Sequence, residues 1–308
     1  MSTLYITHPA FLHHLTGPGH PERPDRMRAV ERIMENERFA HLARETAPLG
    51  KPEAIELVHP TAYVEALEEA CPRDGLVRID ADTVISPGSW EAALRGVGAA
   101  CYAVDEVLGG RAANAFCAIR PPGHHAETAR AMGFCLVNFV SIAARHAQRI
   151  HGVERVAIVD VDVHHGNGTQ DIFWSDASVF YASTHQMPLY PGTGAVSETG
   201  VGNIVNAPLR PGDGGEAFRQ AVETRILPAL ERFGPDLVLI SAGFDAHWRD
   251  PLAHLQLTEQ DFAWVTRKLM DVAARFAKDR VVSLLEGGYD LQGLSRSVEA
   301  HVLALMRG

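Results

Sequence analysis

The chain has 308 residues, 46% of them hydrophobic, which suits one large α/β domain with a buried core and excludes a disordered chain. Its formal net charge of −10 argues against a general nucleic-acid binder and mildly favours cationic partners. No apolar stretch reaches the ~18 residues of a membrane span, and the N-terminus has no basic region leading into an apolar stretch and cleavage site, so a cytoplasmic protein is expected.

Strand-like and helix-like runs alternate along the chain, which predicts a parallel sheet covered by helices on both faces. A first strand is read at 4–6. A helix follows at 89–108, with Ser89 as its cap and Gly109-Gly110 as its end. Strands are read at 115–119, 156–161 and 179–183. A helix from Asp213 to about Phe233 carries a capping-box signal, with Glu216 three positions on. A strand at 237–241, a helix from Thr258 to about Ala277 and a strand at 281–285 complete the pattern. There is no internal repeat and no linker-like segment. The four cysteines, Cys71, Cys101, Cys117 and Cys135, show no C-x-x-C spacing and read as free thiols in a reducing compartment.

Unusual residues gather just after the strands. Pro121-Pro122-Gly123-His124-His125 follows one, Asp162-Val163-His164-His165 a second, and Ser183-Thr184-His185 a third. Gly243-Phe244-Asp245 and Glu286-Gly287-Gly288-Tyr289 follow two more. Open α/β sheets place ligand sites at those strand ends, so five polar segments should converge on one crevice.

The run Asp160-Val161-Asp162-Val163-His164 ends an apolar strand. A spacing of two puts Asp160, Asp162 and His164 on one face. Buried carboxylates are costly unless paired, hydrogen-bonded or metal-bound, so the pattern points to a metal site. A catalytic zinc keeps three protein ligands and an open position, and Asp162, His164 and Asp245 can supply three. His124-His125 offers imidazoles for general-base work, with Asp160 and Asn167 available to fix their tautomers. Tyr289, presented by two glycines, can donate its hydroxyl to a developing oxyanion. Together these parts suit metal-assisted hydrolysis of an amide. Singly each is ordinary: a Gly-Gly-Tyr is often just a turn, and a His pair is often a surface pair.

Three motifs beyond these are Gly19-His20-Pro21-Glu22-Arg23-Pro24, Arg120-Pro121-Pro122-Gly123-His124-His125-Ala126 and Gly133-Phe134-Cys135. With residues 160–168 and 286–289, they make the chain resemble the zinc-dependent histone deacetylase family, including bacterial deacetylase-like amidohydrolases and acetylpolyamine amidohydrolases. The resemblance implies an arginase/deacetylase fold, with an eight-stranded, mostly parallel sheet flanked by helices, in one domain over 1–308. The implied reaction is removal of acetyl or related acyl groups from lysine ε-amines. The alternative is hydrolysis of acetylpolyamines or another small acyl amide. The implied partner is an acyl-lysine protein or peptide or a small acyl amide; no nucleic acid or membrane is implied, and a homo-oligomer is compatible.

The same resemblance assigns residues. Asp162, His164 and Asp245 match the zinc ligands. His125 matches the general base and acid, with Asn167 behind it. His124 matches its electrostatic partner, backed by Asp160. Tyr289 matches the carbonyl-polarising tyrosine. The Gly133 carbonyl would receive the substrate amide. Phe134 would form one wall of the acyl-lysine tunnel and Tyr190 the other, where the family usually has Phe. Leu252 stands where a polyamine-specific branch has a gatekeeper Glu. Arg23 is the expected arginine near an internal acetate exit. Asp160 with Ser183, and the carbonyl segment Phe173, Asp176 and Val179, match two potassium sites.

Two further readings compete. Asp160, Asp162, His164, Asp245, His247 and Asp250 superficially offer donors for the two manganese ions of a ureohydrolase. A non-catalytic acyl-binding module is the other. His13, His14, His247, Trp248 and His254 read either as the mouth of the site or a subunit interface, or as ordinary surface loops.

Overall fold

Strands buried on both faces should read as nearly continuous apolar runs, and here they do. The computed structural model describes residues 2–307. Its elements begin with β1 (Thr3–Thr7), α1 (Asp25–Met34), β2 (Ala43–Thr46), α2 (Pro52–Ile55) and α3 (Thr61–Ala70). A short hairpin, β3 (Val77–Arg78) and β4 (Val84–Ile85), precedes α4 (Ser89–Leu108), β5 (Asn114–Cys117) and α5 (Phe139–His151). Then come β6 (Val156–Asp160), α6 (Asn167–Phe173), β7 (Val179–Gln186) and β8 (Ile204–Leu209). The chain continues through α7 (Gly215–Ala221), α8 (Leu227–Phe233), β9 (Leu237–Ala242), α9 (Glu259–Phe276), β10 (Val281–Leu285) and α10 (Leu291–Leu305).

Eight strands form one sheet in the order β2-β1-β5-β10-β9-β6-β7-β8, and all pairs are parallel. The family resemblance implied a mostly parallel sheet; this one is wholly so. α4 and α5 pack together on one face, and α1, α9 and α10 cover the other. The register sets Asp160 beside both Ser183 and Ser241, so β6 and β9 end nearly level while β7 runs on to Gln186.

Two strands escape the sequence pattern. β2, Ala-Arg-Glu-Thr, is a polar edge strand, and β8 carries Asn206 and Pro208. Both lie at the sheet's margins, where one side needs no partner.

The helix starts also differ from expectation. Gly88, not Ser89, occupies the cap of α4; the Ser89 hydroxyl instead accepts the Ser86 N–H at 2.7 Å. No capping box forms at Glu216, because the Asp213 carboxylate accepts the Arg210 N–H and Gly214 holds the cap. That helix is broken by a π turn at Val222–Ile226. Pro228, which has no N–H to donate to the preceding turn, follows it. A capping box does form at α9, between Thr258 and Asp261.

Candidate active site

The loops after the strands are tied by one buried carboxylate. Glu286 accepts the backbone N–H of Gly123 at 2.6 Å and of His124 at 3.1 Å, and the Ser241 hydroxyl at 3.0 Å. Burial pushes its carboxyl up to about 7. This one side chain, just after β10, therefore ties the segment after β5 to the end of β9. Glu286 was legible only as part of a motif; its bracing role was not.

The two adjacent histidines are held differently. His124 Nδ1 donates to Asp160 Oδ2 at 2.9 Å, and that oxygen also accepts the Tyr181 hydroxyl at 3.1 Å. Burial disfavours a charged His124, but the Asp160 and Asp162 carboxylates outweigh it and raise its pKa well above the usual value. His125 Nδ1 lies 2.8 Å from Asn167 Oδ1. The Asn167 amide donates to Glu127 at 2.8 Å, which fixes its oxygen toward the imidazole. His125 thus carries its proton on Nδ1, and its Nε2 is left as an acceptor. Burial, then the neighbouring His124 and His164, lower its pKa well below the usual value.

Asp162, His164 and Asp245 are buried and bring three ligand atoms within 4.8 Å of one another. Their outer atoms are already engaged. Val163 N–H donates to Asp245 at 2.8 Å, and His164 N–H and Gly287 N–H each donate to Asp162 at 2.9 Å. His164 Nδ1 sits 3.2 Å from Asp162 and 3.1 Å from Asp245. Burial alone would favour neutral imidazole, yet the two carboxylates raise its pKa to about 10. The cluster therefore demands positive charge between its carboxylates. Gly287 is required here, since a Cβ would lie 2.2 Å from an Asp245 oxygen.

His247 and Asp250 do not join this cluster. His247 Nδ1 accepts the Arg249 N–H, and Asp250 braces the loop by accepting the N–H of Leu252 at 3.0 Å and of Tyr289 at 2.7 Å. Among the described residues, the donors that come together here are those of Asp162, His164 and Asp245.

A cavity of about 220 Å³ opens onto His125 and His164. Gly133, Phe134, Tyr190, Leu252 and Tyr289 line it, together with Asp82 and Leu189, which the sequence did not single out. Gly133 and Phe134 both have left-handed backbone, at φ 56° and 68°. A Cβ at Gly133 would come 2.5 Å from the His125 ring. The strained Phe134 is held by its N–H, which donates to the Thr83 hydroxyl at 3.1 Å, and that hydroxyl donates to Asp82 at 3.1 Å. Nothing in the Asp80-Ala81-Asp82 sequence signals that the β3–β4 hairpin reaches this rim.

The expectation for Arg23 is corrected. Arg23 is exposed and pairs with Asp25. Arg26 is the buried arginine: its guanidinium lies 5.0 Å from the Tyr289 ring centroid, donates to Gly288 O at 2.6 Å and to Glu286 O, and pairs with Glu22 at 3.0 Å. It braces the turn that presents Tyr289. The i,i+4 pair Glu22/Arg26 was the available signal.

Asp160 and Ser183, named for the first expected potassium seat, are cross-strand neighbours. The second expected seat is arranged differently. The carbonyls of Phe173, Asp176 and Val179 converge on the Asn203 side-chain nitrogen, at 2.9, 3.0 and 2.8 Å. Of the scattered residues, His14 is buried against Ser89 and His247 is also buried, whereas Trp248 is exposed.

A parallel eight-stranded α/β sheet, with a histidine dyad beside an Asp-His-Asp donor set at its strand ends, defines a hydrolase of the arginase/deacetylase fold. Comparison with known proteins narrows this. The family model described as "Histone deacetylase domain" matches residues 20–305. An uncharacterized protein of Synechocystis is 43% identical, with 94% of each chain covered. A histone deacetylase-like amidohydrolase of Pseudomonas aeruginosa is 41% identical over 88% of this chain and 73% of that one. The crystal structure of the HDA15 HD domain is 34% identical and superposes with a TM-score of 0.94 over 99% of this chain and 88% of that one. The chain belongs to the histone deacetylase family, a group of hydrolases that cleave acyl amides.

Proposed function

We propose that this chain is a zinc-dependent deacylase that releases acetyl or related acyl groups from lysine ε-amines. The observation carrying this reading is the pairing, in one cavity, of an imidazole with a free Nε2 and a buried Asp162–His164–Asp245 set.

The residues fit the metal. Zinc takes nitrogen and oxygen ligands, three from protein at a catalytic site. Two buried carboxylates that hold an adjacent imidazole protonated mark a place for a cation. Zinc bound there supplies Lewis acidity to the acyl carbonyl and lowers the pKa of a water molecule.

The remaining chemistry belongs to the chain. His125 Nε2 accepts a proton from the attacking water as the new C–O bond forms. The positive His124 beside it, held by Asp160, favours this free-base state. The Tyr289 hydroxyl, kept protonated by burial, donates to the oxyanion that develops on the carbonyl. His125 then returns its proton to the leaving nitrogen as the C–N bond breaks, giving a carboxylic acid and an amine. Asn167 keeps the tautomer that lets one nitrogen do both. The Gly133 carbonyl accepts the substrate amide N–H, and Phe134 and Tyr190 flank the methylene chain. Leu252 puts an apolar group at the rim, which favours lysine over a polycationic amine.

A cytoplasmic setting and one catalytic domain over residues 1–308 belong to the same reading; the four unpaired cysteines suit a reducing compartment. One potassium ion is proposed at Asp160 and Ser183. The donors fit it: His185 Nε2 must donate to the Gly194 carbonyl, so Ser183 donates to His185 Nδ1 and keeps its oxygen lone pairs free.

The test is hydrolysis of a matched panel by zinc-loaded protein, with and without chelator. The panel holds acetyl-lysine peptide, longer acyl-lysine peptides and acetylated polyamines. Chelator-sensitive release from lysine peptides is expected. Preference for polyamines would transfer the assignment, and no release from any would overturn it.

A further inference from the structure

We infer that the cation seat framed by Phe173, Asp176 and Val179 is filled by the chain itself, with the Asn203 amide standing where the family resemblance implied a potassium ion. Three carbonyls, those of Phe173 and Val179 buried and that of Asp176 partly so, face one point and favour positive charge or donors there, beyond the Asp176 and Val179 N–H groups that two of them already accept. Here all three meet a single nitrogen, Asn203 Nδ2, at 2.8 to 3.0 Å, the range of ordinary N–H···O bonds. An amide has two N–H groups for these three acceptors, so its positive end is shared among them as an ion would be.

The amide cannot be turned round. Asn203 Oδ1 accepts the Val201 N–H at 3.2 Å. A flipped amide would set Oδ1 against three carbonyls and an NH₂ group against another N–H. The residue is buried and its own carbonyl accepts the Tyr181 N–H at 3.0 Å, which anchors it to β7.

Charge is also balanced without an ion. Arg145 pairs with the Asp176 carboxylate at 2.6 Å, and its guanidinium lies 4.8 Å from the Phe173 ring centroid. The only formal charge on the three framing residues is thus neutralised from α5. The Asp160–Ser183 seat differs, since no side-chain amide is hydrogen-bonded to either residue among the described residues. The chain should therefore bind one potassium ion at most, and the connection from α6 to β7 should hold without any.

The test reads stoichiometry and stability rather than turnover, so it is independent of the proposed deacylase activity. Wild-type protein equilibrated with rubidium chloride, desalted and assayed by mass spectrometry should retain no more than one rubidium per chain. Two per chain, or an anomalous rubidium peak among the three carbonyls in a crystal, would overturn the inference. Asn203→Ala opens the seat. Its Tm should rise by about 3 °C in potassium chloride relative to tetramethylammonium chloride at equal ionic strength, beyond any rise in wild type. An equal loss in both salts would mean that the amide is an ordinary structural bond and would overturn the inference too. If Asn203→Ala does not fold, the wild-type count and the rubidium map decide alone.

Discussion

Two clusters of histidine and aspartate lie at opposite ends of the sheet's strands. Asp162, His164 and Asp245 lie at the strand ends; Asp105, His146 and His151 lie where α4 and α5 finish, before β5 and β6 begin. Both bring three ligand-type atoms within 4.8 Å. Their surroundings differ. In the first, both carboxylates are buried and anchored by backbone N–H groups. In the second, one oxygen of Asp105 takes both imidazoles, at 2.7 and 2.6 Å, and the three side chains are 15 to 37% exposed. Residue type alone does not make a metal centre. Burial makes the uncompensated charge costly, and the backbone donors fix the carboxylates in place.

The largest expected effect breaks the first cluster. Asp245→Ala should cost at least about a thousandfold in kcat/KM and lose the retained zinc, as measured by metal analysis after desalting. His146→Ala should change neither. Equal losses from the two variants would remove the distinction drawn here. Next comes Tyr289→Phe, which leaves every donor atom of the cluster in place. It should lower kcat by about a hundredfold or more with zinc content unchanged, the cost of one oxyanion donor. Full activity would remove Tyr289 from the mechanism.

The first cluster was legible because its chemistry is written locally. Asp162 and His164 alternate on one strand end, and Asp245 follows another apolar run. The parallel sheet was legible from the same runs. What stayed hidden depends on contacts between distant segments. Arg26 reads as one charge on an amphipathic helix until Glu22, Glu286 and Gly288 surround it. Asp82 reaches the rim only because a hairpin far from the strand ends folds over Phe134. Asn203 looks like a turn residue, and only the sheet register brings it under three carbonyls. β2 and β8 carry too little apolar pattern to be seen from periodicity.

Burial and carboxylates can be separated at a third imidazole. His301 is as buried as His164, but its ring packs against Phe116 and Phe244 and its nitrogens meet hydroxyls. The Thr266 hydroxyl donates to the Phe262 carbonyl, so His301 Nδ1 donates to Thr266 at 2.7 Å and Nε2 accepts from Ser283 at 2.8 Å. With no carboxylate beside it, burial lowers its pKa to about 3, the opposite of His164. Between this value and about 6.5, the unfolded chain binds the proton and the folded chain does not, so stability falls as pH falls. The contribution is complete above about pH 6.5 and should drop by about 1.4 kcal/mol from pH 7.5 to 5.5. His14, His59 and His185 titrate in the same direction, so the measurement is a difference. Urea unfolding of His301→Leu should show a shallower loss over that interval than wild type. An unchanged slope would mean that burial at His301 does not set its protonation.

The smallest effect is expected at the exposed cluster, and it tests the comparison from the other side. Asp105→Asn keeps an oxygen that can accept from one imidazole and removes the charge. Exposed ion pairs contribute roughly 0.2–1 kcal/mol, because water solvates the separated charges nearly as well. The variant should therefore unfold within about 1 kcal/mol of wild type. Whatever difference remains should shrink in high salt, where the screening length falls to about 3 Å at 1 M. A loss of several kcal/mol that persists in salt would place Asp105 in a desolvated site. Enclosure would then cease to separate the two clusters, and the backbone donors around Asp162 and Asp245 would remain as the whole of the difference.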